Sequence, residues 1–186
     1  MGQDFRLTNI KGLYEVFTPT FRDFRGEYWP LYEQGKFERT IGRNSYFEWK
    51  QDGISTARKG VFRGFHGDAN TTKLTTCLAG EVFSVIIDMR PESETYLGHD
   101  TFILSSAARN QLLIPPGCGN SYYALTDDVV YMYKQDTHYG DQLQFTVRWN
   151  DPAFQSVLWP FITPLILSPR DTQVKDLHDR GLDPYK

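Results

Sequence analysis

The stretch from Gly60 to Leu74, GVFRGFHGDANTTKL, holds one histidine and one lysine in positions that ask for an explanation. His66 ends a strand-like run, VFRGFH, and Lys73 opens the next, KLTTCL, after the turn residues GDANTT. Imidazole exchanges protons near neutrality and is the commonest protein ligand of transition metals. An enclosed ammonium stabilises developing negative charge. Strict strand alternation puts Gly64 and His66 on one face, with room beside the imidazole, and Arg63 and Phe65 on the other. Lys73, Thr75 and Cys77 share a face that is polar for a strand. Turned inward it implies a ligand cavity rather than an oily core; turned outward it is the wet face of a half-exposed strand. In VVYMYK, Tyr131 and Tyr133 share a face opposite Lys134.

A metal centre is the other chemistry to weigh. Metal-binding cupin barrels use an H-x-H pair and a P-x-G-x-x-H motif, whereas this chain reads His66-Gly67-Asp68 and Pro115-Pro116-Gly117-Cys118-Gly119-Asn120. A neutral amide is a poor transition-metal ligand, so the barrel is expected without a metal.

The elements that must position these residues are short β-type runs cut by turn signals: KLTTCL, EVFSVIIDM, DTFILSS, NQLLIPPG, NSYYAL, VVYMYKQD and LQFTVRW. Many short strands without helical periods between them predict an all-β fold, a cupin-like double-sheet jelly roll with short peripheral helices. LYEVFTPTFRDFRGEYW and RNSYFEWKQ read as further strands, with a helical piece near 31–37 and a polar tail from about 172. At 186 residues one domain is expected. Aromatics at 15% favour β structure. A net charge of −3 without a basic stripe argues against nucleic acid, and no apolar run is long enough to span a bilayer. Two cysteines in no metal or redox spacing read as free thiols of a cytoplasmic protein.

Seven segments in order carry a family resemblance: DFRG (23–26), QDGISTARKGVFRGFH (51–66), KLTTCLAGEVFSVIIDMR (73–90), IPPGCGNSYY (114–123), YMYKQDTHY (131–139), RWNDP (148–152) and LSPRD (167–171). Over roughly residues 12 to 172 the chain resembles the nucleotide-sugar 3,5-epimerases typified by dTDP-4-dehydrorhamnose 3,5-epimerase. The resemblance implies His66 as catalytic base, Asp171 as the carboxylate that orients it, Lys73 as the stabilising lysine and Tyr133 as the acid. Arg25 and Arg63 fall on the phosphate-binding arginines, and Arg170, Asn120 and Gln51 join the substrate contacts. A homodimer is implied, because the segment around Arg25 serves the partner subunit's site in the family. The substrate would be a 4-keto sugar whose C3 or C5 proton is acidic. His66 would remove it, Lys73 would meet the enolate charge on the C4 oxygen, and Tyr133 would return a proton to the opposite face, with no cofactor.

Departures from typical members bear on the nucleotide. GFHGD replaces GLHYQ, PPGCGNSY replaces PPGFAHGF, Gly53 replaces an asparagine, and Pro30 stands at a usual glutamate. The changes resemble the branch acting on GDP-4-keto-6-deoxy-heptoses for capsular polysaccharide, so a guanosine-linked substrate is expected. The alternatives are a dTDP-4-dehydro-6-deoxyglucose 3,5-epimerase, an enzyme inverting C3 alone, or a sugar-nucleotide-binding barrel without catalysis.

Overall fold

A computed structural model of the chain describes residues 3–41, 48–161 and 164–186. Among these, the strands are β1 (Asp4–Leu7), β2 (Tyr14–Phe17), β3 (Phe21–Asp23), β4 (Gly26–Tyr28), β5 (Gln51–Ala57), β6 (Phe62–Gly67), β7 (Lys73–Ala79), β8 (Glu81–Asp88), β9 (His99–Ser105), β10 (Asn110–Ile114), β11 (Cys118–Ala124), β12 (Val129–Gln135) and β13 (Phe145–Thr146). Two short helices, α1 (Gln34–Ile41) and α2 (Pro169–Gln173), lie outside them. One sheet has the order β1-β2-β10-β7-β12-β5 and the other β13-β6-β11-β8-β9, while β3 and β4 form a separate hairpin. Pairing within both sheets is antiparallel. The double-sheet architecture expected from the sequence is the one observed.

Alternation decides which side chains meet between the sheets. Cys77, Leu112, Ile114, Val129 and Tyr131 from one sheet pack against Val82, Ile86, Leu104, Tyr122 and Ala124 from the other. Because Cys77 points into this core, Lys73 and Thr75 on the same face of β7 point inward too. The polar face is therefore interior, and Lys73 is only 8% exposed. The outer faces are covered as well, which is why β10 and β11 read as buried along their whole length. Phe37 of α1 closes over Val16, Leu74 and Leu113. Phe154, Val157 and Leu177 close over Phe65, Val85, Ile87 and Phe145.

Several boundaries differ from expectation for local reasons. The helix starts after Glu33, whose carbonyl accepts from the N–H groups of Lys36 and Phe37, rather than at 31. Of the strand expected over 43–51, residues 43–47 lie outside the described residues and only Gln51 falls in β5. LQFTVRW yields a two-residue strand, extended by the mutual backbone bonds of Phe65 and Val147. The C-terminal segment is tied down by buried polar contacts. Asp151 Oδ2 accepts from the Leu177 N–H, and the Arg180 guanidinium donates to the carbonyls of Thr146 and Pro184.

Candidate active site

His66 is positioned by three neighbours. In its sheet it stands opposite Asn120 of β11 on one side and Thr146 of β13 on the other. Its third neighbour comes from 105 residues away, because Ile166 joins the start of β6 in a parallel bridge, with Phe62 N–H donating to the Ile166 carbonyl and Ile166 N–H to that of Gly60. That bridge delivers the Ser168-Pro169 start of α2 to the barrel. The Ser168 hydroxyl accepts from the Asp171 N–H as the helix N-cap and donates to Asp171 Oδ2 at 2.7 Å. Asp171 Oδ1 then lies 2.7 Å from His66 Nε2. Burial pushes the Asp171 carboxyl upward, but the hydrogen bonds from His66 and Ser168 outweigh it and hold the group below its ordinary range. An ionised carboxylate only accepts, so Nε2 carries a proton, and in the neutral imidazole this leaves the lone pair on Nδ1. The Asp171 side chain is 2% exposed and that of His66 31%, so the dyad is anchored at one end and open at the other.

The register of β6 corrects the alternation inferred for VFRGFH. Asn120 pairs with His66 and Tyr122 with Arg63, so three residues of β6 span what two residues of β11 span. This bulge returns Arg63 to the face of His66 and puts Phe62 and Phe65 together on the other, their rings 6.4 Å apart. Gly64, at φ +123°, serves the bulge and not the imidazole: a Cβ there would stand 2.6 Å from the Asn120 carbonyl oxygen.

A cavity of about 650 Å³ opens between the sheets, and His66, Lys73, Asn120 and Tyr133 all line it. Tyr133 sits between Thr75 of β7 and Gly53 of β5. A Cβ at Gly53 would meet nothing within 4 Å, so no packing contact demands glycine at this point of the cavity lining. Burial, reinforced by the neighbouring Tyr131 and Tyr122 phenols, raises the Tyr133 hydroxyl well above its ordinary pKa. Burial lowers that of Lys73, with Asp68 opposing and Arg170 reinforcing the shift.

The binding residues expected from the sequence divide. Arg63, Arg170 and Gln51 line the cavity. Arg170 is steadied by Thr146 Oγ1 at 2.8 Å, and Gln51 Oε1 accepts from the Tyr139 N–H at 2.6 Å. Arg25 does not reach it. It lies in the exposed turn of the β3–β4 hairpin, paired with Asp23 at 2.6 Å, beside Phe24, which is 98% exposed. Ser168, Tyr139, Gln144 and Ser55 line the cavity without having been singled out. For Ser168 a signal existed: Ser-Pro followed by an acid at the third position is a helix N-cap pattern.

Two sequence departures acquire structural causes. Asp68 accepts from the backbone N–H groups of Asn70 and Thr71, as a turn cap outside the cavity lining. A Cβ on Gly67 would stand 2.3 Å from Phe145 Cζ and 2.5 Å from the Cys118 carbonyl oxygen. Among the described residues, no group of three His, Cys, Asp or Glu side chains is placed to hold a metal ion, and no helix is long and apolar enough to cross a membrane.

Comparison with known proteins now bears on this geometry. The family model described as dTDP-4-dehydrorhamnose 3,5-epimerase matches residues 7–179. The chain belongs to the dTDP-4-dehydrorhamnose 3,5-epimerase family. It is 36% identical to the dTDP-4-dehydrorhamnose 3,5-epimerase of Salmonella typhimurium over 81% of this chain and 82% of that protein. It is 30% identical to the dTDP-4-dehydrorhamnose 3-epimerase of Streptomyces niveus over 96% of this chain and 87% of that protein. The crystal structure of the Legionella pneumophila dTDP-6-deoxy-D-glucose-3,5-epimerase in complex with dTDP-4-keto-L-rhamnose superposes with a TM-score of 0.89 at 29% identity, over 99% of this chain and 98% of that one. The chain is thus an isomerase, a nucleotide-sugar epimerase of the jelly-roll type.

Proposed function

We propose that this epimerase inverts C3, C5 or both on a dTDP-linked 4-keto-6-deoxy-hexose, with His66 as base, Lys73 as stabiliser of the enolate and Tyr133 as acid. The observation that carries the reading is the dyad of His66 and ionised Asp171, opening onto a cavity that Lys73 and Tyr133 also line. His66 Nδ1 takes the proton α to the C4 ketone, and the carboxylate 2.7 Å from Nε2 offsets the charge of the imidazolium. Charge on the C4 oxygen then meets the Lys73 ammonium in a setting where little water competes. Tyr133 lies on the opposite sheet from His66, so a substrate held between the layers is deprotonated from one side and reprotonated from the other. Its raised pKa keeps the phenol protonated until the carbanion calls for the proton.

Guanosine remains a second reading, supported by Gly53 and Asn120, departures that do line the cavity. The curated relatives favour thymidine, and Gly67 and Asp68 have local packing and turn roles that do not call on the nucleotide. Thermal shift separates the two: dTDP should protect at lower concentration than GDP, and the reverse order would favour the guanosine branch.

The proposal includes one domain acting as a homodimer in the cytoplasm. Phe21, Phe24 and Tyr28 are exposed on the β3–β4 hairpin, and a partner would cover them while Arg25 reached that partner's diphosphate site. The free, buried thiols of Cys77 and Cys118 suit a reducing compartment.

A further inference from the structure

Behind the cavity wall, between the sheets, lies a buried polar cluster that the reaction above does not use. Thr75 and Tyr131 enter from β7 and β12, and Ser84 and Asn120 enter from β8 and β11 of the facing sheet. Tyr131 is 0% exposed, its ring stacked on Tyr122 at 4.5 Å and edge-on to Tyr133 at 4.9 Å. Its hydroxyl stands close enough to Thr75, Ser84 and Asn120 for each to act on its ionisation. Three buried atoms here have no hydrogen-bond partner as placed: Thr75 Oγ1, Tyr131 Oη and Asn120 Oδ1. Native interiors satisfy such groups, here by small side-chain adjustments that bring neighbouring polar atoms into hydrogen-bond range.

The proton count restricts the solution. Ser84 has committed its proton to the Ser121 carbonyl at 2.9 Å. Asn120 Oδ1 can only accept. Ser84 Oγ can still accept, but a donor for Asn120 Oδ1 has to come from a hydroxyl, and a head-to-tail chain from Thr75 Oγ–H to Tyr131 Oη and from Tyr131 Oη–H to Asn120 Oδ1 would satisfy all three atoms. Held at its oxygen in that way, the Asn120 amide would present Nδ2 to the cavity that Asn120 lines, beside its cross-strand neighbour His66.

We infer that Tyr131 is a positioning residue, whose hydroxyl, backed by Thr75, locks the Asn120 amide so that Nδ2–H donates to the substrate's C4 oxygen as negative charge collects there. The amide is then a second, neutral donor beside the Lys73 ammonium. Tyr131 touches no reacting atom and acts through Asn120. The kinetic part of this inference rests on the epimerase reading; the orientation of the amide does not.

The test is a mutant cycle read in two ways. Tyr131→Phe keeps the ring in its stack and removes only the hydroxyl, and Thr75→Val removes the back-up donor at nearly constant shape. With dTDP-4-keto-6-deoxyglucose, Tyr131→Phe should lower kcat about tenfold at near-constant KM, because an oriented donor to a developing oxyanion contributes more to the transition state than to binding. Thr75→Val should act in the same direction, more weakly. In an Asn120→Ala background, Tyr131→Phe should add less than a twofold further loss. Independently of turnover, the Asn120 side-chain NH₂ resonances, assigned by their loss in Asn120→Ala, should shift in Tyr131→Phe. Tyr131→Phe with wild-type kcat, a full tenfold loss retained in the Asn120→Ala background, or unmoved Asn120 resonances would each overturn the inference. Should Tyr131→Phe fail to fold, Thr75→Val with unmoved Asn120 resonances overturns it equally. A wild-type protein that does not turn over the sugar, but whose Asn120 resonances move in Tyr131→Phe, upholds the lock and defeats the reaction proposed above.

Discussion

Replacing Asp171 by asparagine removes one charge and almost no volume, so its effect can be worked from the dyad itself. The Nε2 to Oδ1 distance is 2.7 Å, which puts the two charge centres about 4 Å apart once the imidazolium forms. At an effective dielectric near 20, that attraction is about 4 kcal/mol. The partly open imidazole admits some screening, which lowers the figure to about 2–4 kcal/mol. Asparagine also disturbs the tautomer. Ser168 Oγ donates to the second carboxylate oxygen at 2.7 Å and would compete for the single amide oxygen, turning the NH₂ group toward Nε2. The imidazole proton would then move to Nδ1, the atom that must accept the substrate proton. Asp171→Asn should therefore lower kcat between about thirtyfold and a thousandfold with KM little changed. The assay is steady-state epimerisation of dTDP-4-keto-6-deoxyglucose at pH 7, with circular dichroism to establish folding. A folded Asp171→Asn variant retaining more than a third of wild-type kcat would refute the assigned role of the dyad.

Three further outcomes follow from named contacts. His66→Asn should abolish both inversion and solvent exchange at the acidic carbon, whereas Tyr133→Phe should still exchange deuterium into uninverted sugar; mass spectrometry with NMR of recovered substrate distinguishes them, and inversion at the normal rate in Tyr133→Phe would contradict the split. Gly67→Ala should destabilise the fold by about 1–3 kcal/mol, because its Cβ would meet Phe145 and the Cys118 carbonyl; denaturant melts read this, and an unchanged midpoint would contradict it. Asp88 is fully buried, and although desolvation raises its pKa, hydrogen bonds from Arg90, Ser93 and Thr95 bring it down to about 2. A depressed folded pKa gives stability that is present above about pH 4 and lost as pH falls from 4 toward 2. Asp88→Asn should thus lose about 2 kcal/mol at neutral pH and have a flatter acid-unfolding profile than wild type over that window.

Much of the fold could be read from the chain because its strands are short, dense in apolar residues and cut by turns. The runs from KLTTCL to VVYMYKQD fall on β7 to β12 almost residue for residue. Parity placed Lys73 and Thr75 on one face but could not say which way it pointed. That depended on Cys77 having a core to enter, which is a tertiary fact. Parity failed outright in β6, where the bulge at Gly64 moved Arg63 across the strand; a bulge is set by the partner strand's register, here Asn120 to Tyr122. The motif LSPRD was legible as a segment, but its approach to His66 depends on the bridge between Val61 and Ile166, which no local pattern announces. Residues 67 and 68 illustrate a different limit of local pattern. They differ from typical members of the family, and each has a local role, beside Phe145 and in a turn, that the sequence pattern did not suggest.

The central claim is proton abstraction next to the ketone of a nucleotide-linked 4-keto sugar, and isotope placement in heavy water tests it most directly. The wild-type protein is incubated with dTDP-4-keto-6-deoxyglucose in deuterated water, and the recovered sugar is analysed by NMR and mass spectrometry. Deuterium should appear at C3, C5 or both, with inverted configuration wherever turnover is complete, and its location distinguishes single from double epimerisation. Recovery of undeuterated, uninverted sugar from both this substrate and its GDP-linked heptose counterpart would contradict the account.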